Sequence, residues 1–357
     1  MREDSLKLNP FRRERRAKVA IRHFAYFNAR VLAMRAKLLP KETYPKFLQM
    51  GIPEIARSLG ESEYKVEIEQ LGQKYRGVDL VEFSLNRNLA TTFHGLIEKA
   101  QGELQSLLMD YMRYYDLENI TTALRGKLSG ISDEDVEEAI IPAGSLTDAQ
   151  LKRLIEASYD DTMEILRKMG YDEAVDLITD LPLPEVEDHL IKMYYANLLE
   201  KTSGGSKNMK MFHHFISIDI DFMNLINFLR LKRDGTPPTK VMEYMMPGGA
   251  QLPHKKLKEL AGLDMEEILT RIEGLAYFRE HQGALTGEKD SLTALEASLL
   301  KFQLNYAVRE ARQNPLSILV VLSYILAKRV EVANIRNIVR GKEGDLPTEL
   351  IRKQLVL

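Results

Sequence analysis

Cysteine is absent from the 357-residue chain, and so is tryptophan. Without a thiol there is no disulfide, no thiolate zinc site and no cysteine nucleophile, and the composition fits an intracellular setting. An excess of charge is missing too. Against 50 Lys and Arg stand 52 Asp and Glu, a formal net charge of −2 with a pI ≈ 6.4. The chain as a whole has no electrostatic pull toward nucleic acid or anionic lipid. No apolar run reaches the ~20 residues needed to span a bilayer. The strongest, Leu316 to Ala327, is closed by Lys328 and Arg329 and reads as a buried core helix. Membrane association is therefore expected only through partners. β-Branched alternation never lasts, so the predicted fold is all-α.

Catalytic signatures are also missing. Gly204-Gly205-Ser206-Lys207 lacks the spacing of a phosphate-binding loop and follows no strand. There is no Gly-x-Ser-x-Gly elbow and no His-Glu-x-x-His pair. His213, His214, Asp219 and Asp221 have the side chains of a zinc or manganese site. Adjacent histidines on a helix diverge by about 100°, however, and helix packing accounts for the segment better. The expectation is a protein without an active site, cofactor or metal of its own.

What the chain does contain is a phrase written three times. Asp116-x-x-Asn119-Ile120-x-x-x-Leu124-Arg125-x-Lys127 returns as Asp221-x-x-Asn224-Leu225-x-x-x-Leu229-Arg230-x-Lys232. It returns again as Glu331-x-x-Asn334-Ile335-x-x-x-Val339-Arg340-x-Lys342. The copies lie roughly 105 to 110 residues apart, the register of a tandem repeat.

Other features keep the same step. Leu39-Pro40, Leu146-Thr147 and Leu252-Pro253 open three units, each leading into a predicted pair of short amphipathic helices. A long helix follows around His94–Lys99, Tyr195–Lys201 and Tyr306–Ala311, then an apolar helix and the motif. Ile141-Pro142-Ala143-Gly144-Ser145-Leu146 and Met246-Pro247-Gly248-Gly249-Ala250-Gln251-Leu252 read as the breaks between units. Thr202–Ser206 is a joint inside the second unit, and Gln313-Asn314-Pro315 matches it in the third, with Asn314 as N-cap. The expected division is a basic extension over 1–18, a helix over 19–38 joined to repeat one through 145, repeat two over 146–251 and repeat three over 252–357. The block Arg12-Arg13-Glu14-Arg15-Arg16-Ala17-Lys18 has no apolar stretch of a secretory signal. It reads as a solvated extension or as a contact for an acidic partner.

On a helix, the motif's acid, Asn, apolar residue and Lys lie near one face. The acid stands at the N-terminal end and Arg and Lys at the C-terminal end, each favourable to the helix dipole. An Asn within an apolar stripe needs its amide bonded, so three of them imply a shared kind of buried partner. The backbone of a neighbouring helix or the motif's own acid are the candidates. The motif then serves as a structural lock, and its Arg/Lys pairs also offer a surface to something acidic.

At this point particular residues resemble a known family. Tyr26–Leu39, Asp116-Leu117-Glu118-Asn119-Ile120 and Met246-Pro247-Gly248-Gly249 are similar to the C subunits of archaeal A-type ATP synthases, homologues of the d subunit in V-type ATPases. Val308-Arg309-Glu310-Ala311-Arg312-Gln313-Asn314-Pro315-Leu316-Ser317 and Val330–Lys342 carry the resemblance most strongly. It runs from about residue 20 to the end of the chain. The resemblance implies a funnel of three similar helical domains, without catalytic residues. It implies a place on the cytoplasmic face of the membrane, between the D and F subunits of the central stalk and the proteolipid ring. Ion flow and ATP synthesis or hydrolysis are coupled there through one rotation. The rival reading is a stand-alone helical-repeat adaptor, which would share the repeats but not the Arg309–Pro315 run.

Overall fold

The computed structural model describes residues 24–278 and 291–357, and among them there are helices and no strands. The basic extension and the start of the expected first helix lie outside the described residues. Helix α1 covers 24–35 and ends in a turn before the predicted limit of 38, where Lys37 and Leu38 N–H bond back to Met34 and Arg35. Three short helices follow, α2 (Thr43–Gln49), α3 (Ile52–Leu59) and α4 (Lys65–Leu71). Next come two long ones, α5 (Gly77–Lys99) and α6 (Glu103–Ser129), and a short α7 (Asp133–Ala139). The same order of lengths returns in α8 (Asp148–Glu156), α9 (Tyr159–Lys168), α10 (Asp172–Asp180), α11 (Leu183–Thr202), α12 (Lys207–Arg233) and α13 (Pro238–Glu243). It returns once more in α14 (His254–Ala261), α15 (Met265–Glu273), a 3-10 turn at Ala276–Phe278, α16 (Leu292–Gln313), α17 (Leu319–Glu343) and α18 (Thr348–Lys353).

Two expectations change here. The predicted helix pairs are triplets in the first two stretches, and a pair followed by a 3-10 turn in the third. The apolar helix and the motif are not separate elements. They form one continuous helix of 27, 27 and 25 residues in α6, α12 and α17.

Local chemistry sets the ends. Ser132, Thr147, Ser158, Ser206, Asp264 and Ser291 each accept a backbone N–H in the first turn of the helix they cap. Gly130 closes α6 in the left-handed conformation that glycine adopts without strain. Asn314 departs from its expected role. It ends α16, its amide donating to Glu310 O, while α17 begins only at Leu319. Ser317 Oγ, not Asn314, accepts the Leu319 N–H there.

The motif helices are central because each is buried along most of its length. The N-terminal part of α6 (Leu104, Leu108, Met112), the start of α12 (Phe212, Ile216) and nearly all of α17 share one apolar core with α1 to α5. Further along, α6 (Ile120, Leu124) packs against Leu151 and Leu154 of α8, and α12 (Leu225, Leu229) against Leu257 and Leu260 of α14. In α17, Ile335 and Val339 share the core with Phe47 and Leu48 of α2. The Leu316–Ala327 run is a core helix as expected from Leu319 onward, although Leu316 itself is half exposed.

Candidate functional site

Each motif asparagine holds the chain as it returns from the next short helix. Asn119 Nδ2 donates to Ile141 O at 2.8 Å, and Ile141 N–H donates back to Asn119 Oδ1 at 2.9 Å. Asn224 makes the same pair with Met246, both at 2.8 Å. Asn334 makes it with Val356, at 2.9 and 2.8 Å. Both functions of a primary amide are satisfied by both functions of one residue's backbone, which is how a buried Asn avoids its desolvation cost. The partner is thus loop backbone, not the neighbouring helix or the motif's own acid that the spacing suggested.

The acids reach further along. Asp116 accepts the N–H groups of Ser145 and Leu146 at 2.9 Å, with the Ser145 hydroxyl at 2.5 Å. Asp221 accepts Gln251 N–H at 2.7 Å, Leu252 N–H at 3.1 Å and the Tyr277 hydroxyl at 2.6 Å. Glu331 finds its partner at the other end of the chain, accepting Leu39 N–H at 2.5 Å and the Tyr64 hydroxyl at 2.7 Å. Leu39, Leu146 and Leu252 are the residues read from sequence as unit openings. Lys328 joins Glu331 at 2.8 Å with both side chains buried, and its Nζ lies 4.1 Å from the centre of the Tyr64 ring.

The basic residues repeat the same advance. Lys127 donates to Ile155 O and Ala157 O at the end of α8, Lys232 to Ala261 O at the end of α14, and Lys342 to Leu48 O near the end of α2. Each ammonium so meets the negative end of a helix dipole. Arg125 pairs with Glu187 on α11, Arg230 with Glu296 on α16, and Arg340 with Glu82 on α5. These arginines are 58%, 52% and 62% exposed, so each ion pair contributes only about 0–1 kcal/mol. The buried acids and amides carry more of the hold.

Several participants escaped the sequence reading. Glu82, Glu187 and Glu296 sit on the long helices α5, α11 and α16, and Tyr64, Tyr171 and Tyr277, in the short segments before those helices, keep the same spacing beside the acids. Their spacing was visible, but nothing local marks one Glu or Tyr among many. Burial, then the nearby Asp116 charge, pushes the Tyr171 hydroxyl up to about 12. Tyr64 and Tyr277 rise further for the same reason, next to Glu331 and Asp221. Burial also lifts the Asp221 carboxyl above its ordinary value, against the opposing hydrogen bonds from Tyr277, Gln251 and Leu252.

The His213–Asp221 segment disperses. His213 Nδ1 lies 3.1 Å from Thr202 Oγ1, and His214 faces Tyr306. Asp219 accepts from the Tyr195 hydroxyl at 2.7 Å and Gln303 Nε2 at 2.5 Å, away from the contacts of Asp221. Among the described residues no helix is long and apolar enough to cross a membrane, and no three His, Cys, Asp or Glu side chains are placed to hold a metal ion.

The profile of the ATP synthase (C/AC39) subunit family matches residues 27–354. The C subunit of the A-type ATP synthase of Methanosarcina mazei is 38% identical over 351 residues, 98% of this chain and 97% of its own. Its counterpart in Methanococcoides burtonii is 39% identical over 337 residues, covering 94% of each chain. That of Archaeoglobus fulgidus is 35% identical over 334 residues, 94% of this chain and 96% of its own. On a match that runs almost from end to end, the chain belongs to the ATP synthase (C/AC39) subunit family.

Proposed function

We propose that the chain is a non-catalytic central-stalk component of a rotary A/V-type ATP synthase, joining the rotor axle to the proteolipid ring of the membrane. The observation that carries this reading is the cycle of polar contacts. The first motif grips the opening of the second stretch, the second grips the third, and Glu331, Arg340 and Lys342 grip the first. We read this as three similar units, 19–145, 146–251 and 252–357, closed on themselves into a funnel.

A part that transmits torque must resist shear between its own segments. A cycle has no free end at which shear can start, and dense helix packing makes it stiff. The partners in this reading are the D and F subunits of the central stalk on one side and the proteolipid ring on the other, at the cytoplasmic face. The chain itself contributes no bond-making chemistry. The motif surfaces accept the stalk, while exposed apolar and basic groups meet the ring.

The test is recovery of the tagged protein from detergent-solubilised native membranes, with its partners identified by mass spectrometry. Stalk proteins together with a small, very apolar proteolipid are expected. A monomer without them, at low and moderate salt, overturns the assignment and favours a free-standing adaptor. Reversing Arg125, Arg230 and Arg340 together, in a protein that still folds, tests the stalk contact. Undiminished stalk recovery removes that part of the proposal.

A further inference from the structure

A cavity of about 210 Å³ opens between α12 and the junction of α16 with α17. Its floor is apolar and buried, formed by Phe215, Ile218, Ala307 and Leu319. Its mouth carries Lys207, Lys210 and His214, which recur on one side of α12 and are exposed. The volume is below the range of drug-sized ligand sites and suits one large apolar side chain.

Electrostatics at the mouth are unbalanced. Neither Lys207 nor Lys210 makes an ion pair among the described residues, and the first turn of α12 has no acidic residue to offset them. Two lysines beside the positive end of a 27-residue helix are unfavourably placed, and Glu103 of α6, which accepts from the Ser206 hydroxyl at 2.6 Å, is an acid at that end. Glu310 is the one acid in the cavity lining among the described residues. Leu316, 51% exposed, stands in the same junction.

The site is also preformed. Asn208 Oδ1 accepts Ile318 N–H at 3.0 Å, and Asn28 Nδ2 donates to Pro315 O and Ser317 O at 2.9 Å. The junction is therefore fixed from two sides before anything binds, which lowers the ordering cost of binding.

We propose that this cavity is an anchor pocket for an acidic protein segment, which inserts one large apolar side chain while its carboxylates meet Lys207, Lys210 and His214. An apolar anchor within a charged rim is the usual anatomy of a binding hot spot. A single-side-chain cavity favours a peptide over a lipid acyl chain, which needs a longer groove. The inference goes beyond the coupling role and stands whichever complex the chain serves.

The test uses the full-length protein and a fluorescein-labelled peptide with one Phe flanked by glutamates, alongside phosphatidylglycerol vesicles. The peptide is expected to bind, and binding should weaken about tenfold when Phe is replaced by Ser. A similar loss is expected in the exposed-surface double variant Lys207→Glu/Lys210→Glu, and in His214→Trp, which sets an indole over the mouth. Raising salt from about 0.05 to about 0.3 M should weaken it further. Circular dichroism of each variant separates misfolding from lost binding. Equal binding of the Phe and Ser peptides, or binding unaffected by the lysine reversals, overturns the proposal. So does binding of vesicles and not of peptide, which would make the occupant a lipid surface.

Discussion

Glu331 accepts the backbone N–H of Leu39, 292 residues earlier in the chain, at 2.5 Å. The contact sits in a buried triad, with Lys328 and Tyr64 both within hydrogen-bond distance of Glu331. Removing one member of a buried ion pair leaves the other charge uncompensated. Glu331→Ala is therefore expected to destabilise the fold by about 3–5 kcal/mol. Replacing both charges, as Lys328→Met/Glu331→Leu, should cost distinctly less, because no orphan charge remains. Urea unfolding of the three proteins checks this. A double variant as unstable as Glu331→Ala would mean that the Leu39 and Tyr64 hydrogen bonds, not charge, hold the closure.

The amide clamps lead to a second expectation. Replacing Asn224 or Asn334 by Ala orphans one buried N–H and one buried C=O, so a loss of about 2–4 kcal/mol is expected at each. Asn119 is expected to lose less, because its bonds to Ile141 are only partly buried. Substitution by Asp is no milder than Ala at Asn224, since its carboxylate would face Met246 O where the amide nitrogen now donates. Urea midpoints give the ranking, and an Asn119 loss equal to that of Asn224 would contradict it.

What was legible in the sequence came from the recurring phrase. Its three copies of acid, Asn, Arg and Lys marked the buried helices α6, α12 and α17, and Leu39, Leu146 and Leu252 are the residues whose N–H groups the acids accept. The clamp partners were not legible. Ile141, Met246 and Val356 contribute only peptide groups, and a peptide group carries no side-chain identity. Helices α4 and α10 and the 3-10 turn were missed for a related reason, since segments this short are decided by tertiary packing. Asn314-Pro315 misled because an N-cap followed by proline is also what a helix end followed by a turn looks like. The first long helix ends at 35, short of 38, because Leu39 must reach Glu331.

Two glycines are expected to resist substitution. A Cβ on Gly144 would lie 2.0 Å from Asp116 Oδ1, and one on Gly249 would lie 2.1 Å from Asp221 Oδ1. The carboxylates cannot retreat without releasing the backbone N–H groups they hold. Gly144→Ala and Gly249→Ala should each cost at least about 1–3 kcal/mol. Gly262→Ala is the control, because its Cβ would meet nothing closer than 3.8 Å and its backbone is in the ordinary helical region. Thermal melts of the three variants decide the point, and unchanged melting of Gly249→Ala would show that the acid is not tightly seated.

Asp221 gives a pH dependence of a defined sign. Burial disfavours its charged form and lifts the carboxyl above the ordinary 3.8, while the bonds from Tyr277, Gln251 and Leu252 offset this only in part. The folded protein then holds a proton in the interval where the unfolded chain has released it. Its contribution to stability is complete below the unfolded value and is lost as pH rises through the folded one. Asp221→Asn removes this titration. The stability of the natural protein minus that of the variant should fall as pH rises above the ordinary carboxylate value, by about 1.4 kcal/mol for each unit separating the two states. Paired urea titrations across that range measure the difference directly, and groups common to both proteins cancel. A difference that grows with pH would reverse the order of causes. The hydrogen bonds would then outweigh burial, and Asp221 would grip the Leu252 turn as a full carboxylate.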